Sequence, residues 1–309
     1  MSQNCAVVAL AVSPEDGATE AVLDAVERAG AVVETHNWVR VTGTASDGQA
    51  ADVEGYNALT VRVQTEDPQQ LRRALQPDPQ RQLLPGIDLN VVPHTWFDQS
   101  RKKLVVLDVD STLIRQEVIE LLAAHVGREA EVAAVTERAM RGEIDFAASL
   151  RERVAVLEGL PASAIDDVAA AVRLSPGAKV LVQTLLREGH AVAAVSGGFS
   201  QVLDPLAAHL ELTRAAANEL EIQDGVLTGR VAGRIVDRAM KAEVMGQWAQ
   251  ELGVAPEDVM AVGDGANDID MARAAGLSVA YRGKPALREV ADTQVSIPNL
   301  DALRFFLDL

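Results

Sequence analysis

Residues 103–114 read KLVVLDVDSTLI, and this stretch decides the fold and raises the question of function. Its apolar run predicts a strand that is buried on both faces, which is typical of a parallel sheet. The strand ends in two aspartates, Asp108 and Asp110, that are separated by one residue. Because two carboxylates this close repel each other, the pair is either solvated at the surface or kept for a chemical purpose.

Strands and helices alternate after this stretch, which predicts an open, doubly wound parallel α/β sheet. Further strands are expected in AVAAVSGG, DVMAVGDG and GLSVAY, and Asp224-Gly225 between apolar residues predicts a hairpin. Ser175 as N-cap predicts the start of the helix before the second strand. The helical segments at about 115–174 would form a cap inserted after the first strand, within a domain of residues 104–309.

Composition narrows the classes of function. The chain has 309 residues, 48% of them hydrophobic, and 28 Lys+Arg against 45 Asp+Glu give a net charge of −17. This balance argues against nucleic acid or an anionic membrane as the main partner, since both require a basic surface. The single Cys5 fits a reducing compartment. Without a basic signal-peptide start or an apolar run of about 20 residues, we expect a cytoplasmic protein.

Three of the predicted strands end in polar loops, and the carboxyl ends of parallel strands are where open α/β sheets bind ligands. The loops are DVDST at 108–112, SGG at 196–198 and GDGAND at 263–268, and Lys241 begins the helix before the last of these strands. Each has an ordinary alternative as a turn or a surface residue. Asp108 and Asp264 could instead share a divalent cation, for which Mg²⁺ prefers oxygen ligands. The SGG backbone could cradle a phosphate.

Together these segments resemble the signature of the haloacid dehalogenase superfamily of phosphotransferases. That signature is DxDx[TV], then Ser or Thr, then Lys, then GDGxxD, and it occurs here in that order over residues 103–309. The segments RQEVIELLAAHVG, VSGGF and MKAEVM resemble the phosphoserine phosphatases within the superfamily. The resemblance implies a small-molecule substrate, O-phospho-serine, hydrolysed with Mg²⁺ through an aspartyl-phosphate in the last step of serine biosynthesis.

The resemblance also implies roles for single residues. Asp108 would be the nucleophile, and Asp110 would be the general acid and then the general base. Mg²⁺ would be held by Asp108, the backbone carbonyl of Asp110 and Asp264, with Thr112 and Asp268 in support. The residues assigned to substrate binding are Ser196, Gly197, Lys241 and Asn267 for the phosphate and Glu117 and Arg153 for the amino acid. Met140 and Phe146 match apolar cap positions of the family, with core packing as the alternative.

Glu117 and Arg153 also make chemical sense without the resemblance. A zwitterionic amino acid requires one anion and one fork-shaped cation for its recognition. Taken alone, the two residues are better explained as a first-turn helix acid and a solvated helix position. Two rival functions remain: the same chemistry on another phosphomonoester or with an alcohol acceptor, and a non-catalytic amino-acid sensor. Because every catalytic position is filled, the sequence favours an enzyme over the sensor.

Residues 1–93 predict a separate α+β domain in the order β-α-β-β-α-β, a split βαβ pattern. This order resembles the ACT domains of amino-acid metabolism, which implies a regulatory, stabilising or dimerising role and makes a homodimer one expectation. Residues 94–103 are predicted to be a linker. His36, Trp38 and Trp96 are expected to be packing or surface residues.

Overall fold

A computed structural model of the chain describes residues 3–14, 16–42, 55–140 and 143–309, except for the side chain of Met140. The strands of this part form one four-stranded and one seven-stranded sheet. Helices connect the strands of both sheets. Among the described helices, none combines the length and the apolar character that crossing a bilayer would require.

The four-stranded sheet is formed by the N-terminal residues. Its elements are β1 (Gln3–Ala11), α1 (Ala18–Arg28), β2 (Val32–Val41), β3 (Tyr56–Thr65), α2 (Pro68–Leu75) and β4 (Asp88–Pro93). The strands are antiparallel in the order β2-β3-β1-β4. Side chains alternate along β1, so that Val7 packs in the cluster with the two helices while Val8 packs in the main core. His36 and Trp38 are exposed on β2.

The seven-stranded sheet confirms the predicted doubly wound α/β fold. Its strands are β5 (Leu104–Leu107), β6 (Ala191–Phe199), β7 (Arg214–Gln223), β8 (Val226–Ala232), β9 (Val259–Gly263), β10 (Leu277–Tyr281) and β11 (Thr293–Val295). Their order is β11-β10-β9-β5-β6-β7-β8, and only β8 runs antiparallel to its neighbour. The predicted hairpin joins β7 to β8, where Asp224 and Gly225 have φ of 52° and 79°, as a type I′ turn requires.

Helices fill the connections of this sheet. The four that lie within residues 115–174, where the cap was predicted, are α3 (Val118–His125), α4 (Glu129–Met140), α5 (Phe146–Ala155) and α6 (Ser163–Ala171). The others are α7 (Ala178–Arg187), α8 (Ser200–Leu210), α9 (Arg238–Leu252), α10 (Ile269–Ala274) and α11 (Pro285–Arg288). The N-cap prediction for Ser175 was wrong, because α7 is capped by Gly177 with φ of 76°. A Cβ at Gly177 would lie 1.9 Å from Oδ1 of Asn299.

The segment 94–103, predicted as a linker, is packed against the protein. Trp96 and Phe97 are buried, and Lys103 is only 1% exposed. The Lys103 ammonium donates to the carbonyl of Thr95 at 2.7 Å and to Oδ1 of Asp258 at 2.6 Å. Because a buried charge needs such partners, these contacts fix the chain just before β5 instead of leaving a free tether.

The two sheets meet where β4 lies beside β11, through buried polar side chains. Oδ2 of Asp88 accepts from the backbone N–H of Ser296 at 2.6 Å, and Oδ1 of Asn90 accepts from the N–H of Gln294 at 2.7 Å. Both Asp88 and Asn90 are buried. These bonds satisfy backbone donors of the C-terminal strand region, so the N-terminal sheet supplies part of the surroundings of the larger one.

Candidate active site

The predicted site residues come together at the carboxyl edge of the seven-stranded sheet. The neighbouring strands β9, β5 and β6 each end there in one of the predicted polar loops. A cavity of about 540 Å³ opens at this edge. The predicted residues that line it are Asp108, Asp110, Glu117, Arg153, Gly197, Asp264 and Asn267. Ser196, Lys241 and Asp268 lie behind this lining and are hydrogen-bonded to it.

The Asp108 carboxylate is held by donors on both of its oxygens. Oδ1 accepts from the N–H of Val109 at 2.7 Å and from Nζ of Lys241 at 2.6 Å. Oδ2 accepts from Nδ2 of Asn267 at 3.0 Å. The Asp108 N–H itself donates to the carbonyl of Val262 on β9. The end of β5 therefore presents a buried carboxylate in one fixed orientation.

Lys241 lies in the first turn of α9 and links two carboxylates. Its ammonium also donates to Oδ1 of Asp268 at 2.8 Å, and its side chain is 1% exposed. Burial alone would lower the pKa of Lys241, but Asp108 and Asp268 outweigh it and raise that pKa. The helix start is stabilised by Asp237, whose side chain accepts from the N–H of Met240. Lys241 is thus a permanent positive charge behind the cavity.

Asp264 and Asp268 complete an acidic cluster with Asp108. One oxygen from each of the three lies within 4.8 Å of the others, and all three residues are buried. Oδ2 of Asp268 accepts from the N–H groups of Asp264 and Gly265 at 3.2 and 3.1 Å. A set of carboxylate oxygens fits a hard divalent cation. Burial raises the pKa of Asp264, which shows that this cluster is unfavourable without a compensating positive charge.

The side chain of Asp110 is not part of that cluster. Its Oδ1 accepts from the N–H of Val118 at 2.8 Å, and its Oδ2 accepts from Oγ of Ser196 at 3.1 Å. Burial, followed by the nearby charges of Glu117 and Asp108, raises the pKa of Asp110 to about 7. A carboxyl group in this state can hold or release a proton near neutral pH.

Glycines in the predicted loops allow side chains to approach closely. A Cβ at Gly198 would lie 2.7 Å from Oδ2 of Asp110, and one at Gly263 would lie 2.3 Å from Cγ of Asp268. At Gly197 a Cβ would lie 2.9 Å from Cζ of Phe146, which also lines the cavity. The glycines of SGG and GDG are therefore required by packing against the acidic side chains and the cap. The Met140 side chain lies outside the described part of the chain.

Glu117 and Arg153 reach the cavity from the cap. Oε1 of Glu117 accepts from Oγ of Ser111 at 2.7 Å, and burial raises the pKa of Glu117. Nε of Arg153 donates to the carbonyl of Ser149 at 3.3 Å, which is its one hydrogen bond among the described residues. Burial lowers the pKa of Arg153 against the attraction of Glu117 and Asp110. The two terminal nitrogens of the guanidinium group remain available to a ligand.

Thr112, unlike most of the predicted site residues, neither lines the cavity nor bonds through its side chain to a described residue that does. It is fully buried in the turn Val109–Leu113. Among the described residues its Oγ1 has no hydrogen-bond partner. Its position supports the turn that carries Asp110.

Sequence reasoning missed Ser111, Arg238 and Lys284. Ser111 has φ of 56° in the tight turn and donates to Glu117. Arg238 lines the cavity and forms two hydrogen bonds with Asp270. Nζ of Lys284 lies 3.0 Å from Oδ2 of Asp264. Two signals were available: Arg238 precedes Lys241 by one helical turn, and Lys284 follows β10 at the same carboxyl edge.

The fold and the site define an α/β protein with an acidic cluster beneath a helical insertion, and that cluster could hold a divalent cation. Residues 105–273 match the haloacid dehalogenase-like hydrolases. The match spans more than half of the chain and includes the loops that carry Asp108, Ser196 and Asp264. The chain belongs to the haloacid dehalogenase-like hydrolase family.

Within this family, the chain is similar in sequence to several phosphoserine phosphatases. Phosphoserine phosphatase SerB2 of Mycobacterium tuberculosis is 57% identical over 206 residues, which are 67% of this chain and 50% of that protein. Phosphoserine phosphatase of Streptococcus thermophilus is 45% identical over 207 residues, which are 67% of this chain and 96% of that protein. The chain therefore matches about half the length of the mycobacterial relative and nearly all of the streptococcal one.

A solved structure resembles almost the whole chain. The unliganded probable phosphoserine phosphatase from Vibrio cholerae has a TM-score of 0.73 and 31% identity, and the likeness covers 98% of this chain and 86% of that one. The likeness in fold therefore includes the four-stranded sheet of the N-terminal residues as well as the seven-stranded sheet.

Proposed function

We propose that this protein is a Mg²⁺-dependent phosphoserine phosphatase, which hydrolyses O-phospho-serine to serine and phosphate. The observation that carries the proposal is one cavity with two kinds of groups. Asp108, fixed by Lys241, lies at its base as part of the acidic cluster, while Glu117 and Arg153 enter from the cap. The first set suits a phosphate ester, and the second suits the charged ends of an amino acid.

Asp108 is assigned as the nucleophile. An oxygen of its carboxylate would attack the phosphorus, and the bond from phosphorus to the serine oxygen would break, leaving an aspartyl-phosphate. Two unit charges at about 4 Å repel each other by roughly 4 kcal/mol at an effective dielectric near 20, so the attack needs positive charge nearby. Lys241 has three N–H donors and uses two of them on Asp108 and Asp268, which leaves one for a phosphate oxygen.

Asp110 is assigned as the group that moves the proton. In its protonated form it would give a proton to the departing serine oxygen. The resulting carboxylate would then take a proton from the water that attacks the aspartyl-phosphate, which releases phosphate and restores Asp108. The pKa of about 7 supports both roles, because each form is accessible near neutral pH. Its bond with Ser196 places it next to the assigned phosphate site.

The cation site is assigned to Asp108 and Asp264, with the backbone carbonyl of Asp110 as a further ligand and Asp268 in support. Oxygen-only ligands and few carboxylates favour Mg²⁺. A bound Mg²⁺ would supply positive charge between the nucleophile and the phosphate. Asp268 already accepts from Lys241 and from two backbone N–H groups, which supports a positioning role for it.

The remaining predicted residues are assigned to substrate binding. Ser196, Gly197 and Asn267 would contact the phosphate, since they lie in the loops around Asp108. Glu117 would accept from the substrate ammonium, and Arg153 would donate to its carboxylate. The cap helices that carry them would exclude water during the transfer and open to admit the substrate.

The N-terminal residues 1–93 are assigned to an ACT-like domain, and residues 104–309 to the catalytic domain. The order of strands and helices and the likeness of almost the whole chain to the Vibrio cholerae structure support this division. A homodimer and a cytoplasmic location remain predictions, the latter resting on the single Cys5 and the acidic composition.

A substrate panel tests the assignment. Phosphate release would be measured from O-phospho-serine, from phosphoethanolamine, which lacks the carboxylate, and from phosphoglycolate, which lacks the amino group. We expect kcat/KM to be highest for O-phospho-serine by at least about tenfold, the value of one charged hydrogen bond. A clear preference for an ester that lacks the carboxylate or the amino group would show that the substrate is a phosphomonoester other than phosphoserine.

A further inference from the structure

Lys284 combines a hydrogen-bonded backbone with a solvent-exposed side chain. Its N–H donates to the carbonyl of Asp264 at 2.7 Å, and its own carbonyl accepts from the N–H of Leu287 in α11. Pro285 occupies the first position of that helix. The ammonium lies 3.0 Å from Oδ2 of Asp264, yet the Lys284 side chain is 59% exposed. The backbone is therefore anchored at the site, while more than half of the side-chain surface faces solvent.

The charges of the acidic cluster explain why a second lysine is needed there. Asp108, Asp264 and Asp268 bring three carboxylates within 4.8 Å of one another. Lys241 is bonded to two of them, Asp108 and Asp268. Asp264 is 9% exposed, and Lys284 is its one ion-pair partner among the described residues. Without Lys284, the most accessible carboxylate of the cluster would lack a counter-charge.

Lys284 also shares the cavity with Glu117, since both residues line it together with Asp264. Opposite charges in one cavity attract each other. In the proposed function these two anions receive external cations, the metal at Asp264 and the substrate ammonium at Glu117. Lys284 therefore lies where the charges of the ligand and the metal would arrive.

We propose that Lys284 is a tethered counter-cation, which pairs with Asp264 in the metal-free protein and gives up that oxygen when a metal ion binds. The inference rests on the metal role assigned to Asp264. Lys241 cannot act in this way, because it is 1% exposed and bonded to two buried carboxylates. Lys284 has one partner and a solvent-exposed stem, and such a pair contributes little enough for a divalent ion to displace it.

The consequence is that the wild-type protein should bind the metal more weakly than a protein without the Lys284 charge. A metal ion that binds Asp264 must displace or approach the Lys284 ammonium, and both effects oppose binding. Lys284→Met removes the competing charge and keeps a stem of similar length. We expect Mg²⁺ to bind this variant about three- to tenfold more tightly at low ionic strength, with a smaller gain when salt screens the charge.

Isothermal titration calorimetry with MgCl₂ on the full-length, metal-stripped protein, without substrate, tests this inference. Lys102→Met is the matched control, because Lys102 is exposed before the opposite end of β5 and its loss changes the net charge equally. We expect a Kd for Lys102→Met within about twofold of the wild type. Lys284→Arg retains the charge and should stay near the wild-type Kd, and thermal unfolding verifies that each variant folds.

The outcomes separate this inference from the proposed function. A Kd for Lys284→Met that is equal to or weaker than the wild-type value overturns the inference, since Lys284 would then support the carboxylate and not compete for it. When Lys284→Met gives such a Kd, Asp264→Asn decides how much fails. If the wild type binds Mg²⁺ and Asp264→Asn does not, the assigned metal site stands and only the inference about Lys284 fails. If Asp264→Asn binds as tightly as the wild type, the assigned metal site fails and the inference fails with it.

Discussion

The ammonium of Lys241 lies 2.6 Å from Oδ1 of Asp108, and both side chains are almost completely buried. This pair joins the first turn of α9 to the end of β5, two elements that are far apart in the sequence. A buried ion pair is a poor source of stability compared with apolar packing, so its presence calls for another reason. In the proposed function, the pair holds the Asp108 carboxylate in position to attack a phosphate ester.

Removing Lys241 should cost both stability and activity. In Lys241→Met, Asp108 and Asp268 would remain buried without their shared cation, and we expect the free energy of unfolding to fall by about 3–5 kcal/mol. Urea unfolding measures this change. The double variant Lys241→Met/Asp268→Asn removes one of the stranded charges and should recover part of the loss. An unchanged unfolding midpoint in Lys241→Met would show that the pair is not held as described.

Arg153→Ala should weaken binding of substrates that carry a carboxylate. Loss of a charged hydrogen bond is worth about 1.5–3 kcal/mol, so KM for O-phospho-serine should rise by roughly one to two orders of magnitude. KM for phosphoethanolamine, which has no carboxylate, should change much less. Arg151→Ala is the control, because Arg151 is exposed on the same helix. Equal effects on both substrates would remove Arg153 from substrate recognition.

Gly198→Ala should impair turnover while leaving the fold intact. The added Cβ would lie 2.7 Å from Oδ2 of Asp110 and 3.0 Å from Oγ of Ser196, so one of these groups must move. We expect kcat to fall by about tenfold or more, since small displacements of reacting groups are costly. Gly246→Ala, with open space around its Cβ, should leave kcat unchanged and stabilise α9 by about 0.5–1 kcal/mol. Wild-type kcat in Gly198→Ala would contradict the tight placement of Asp110.

Stability should fall as the pH drops through the titration of His190. This residue is 6% exposed, its Nδ1 accepts from the N–H of Lys103, and its Nε2 has no partner among the described residues. Burial, and then the charge of Lys103, lowers the pKa of His190 below its ordinary value of 6.5, with Glu188 as a weaker opposing charge. The unfolded chain then binds more protons than the folded one just below pH 6.5, so stability is lost as pH falls.

Urea unfolding at about pH 7.5 and about pH 5.5 measures this effect, because the two values bracket the ordinary histidine pKa. The free energy of unfolding should decrease more between these pH values in the wild type than in His190→Gln, which cannot take up the proton. An identical decrease in both proteins would assign the pH dependence to other groups.

The sequence predicted the parts of the site that short motifs encode. Asp108 and Asp264 each follow a strand and Ser196 lies near the end of β6. Parallel strands bring their carboxyl ends to one edge whatever the details of the packing. The sequence also showed the glycines of these loops, but not why glycine is needed there. A Cβ at Gly198 would meet Asp110 and a Cβ at Gly263 would meet Asp268, and only the folded chain defines these distances.

Contacts between distant segments could not be predicted from local patterns. The pairing of Lys284 with Asp264 depends on how β10 lies beside β9, and nothing in the residues around Lys284 specifies that partner. The start of α7 was misplaced because Gly177 must leave room for Asn299, more than a hundred residues away. Residues 94–103 were predicted as a linker, but burial of Trp96 and the Lys103–Asp258 pair hold them against the larger sheet.

The most direct test of the account is phosphate release from O-phospho-serine by the wild type and by Asp108→Asn, each with and without added MgCl₂ after chelation of bound metal. We expect release by the wild type only with Mg²⁺, and a loss of at least about a thousandfold in Asp108→Asn, as for removal of a catalytic nucleophile. Urea unfolding of the variant would verify its fold. Wild-type turnover in Asp108→Asn would contradict the central claim that Asp108 attacks the phosphorus.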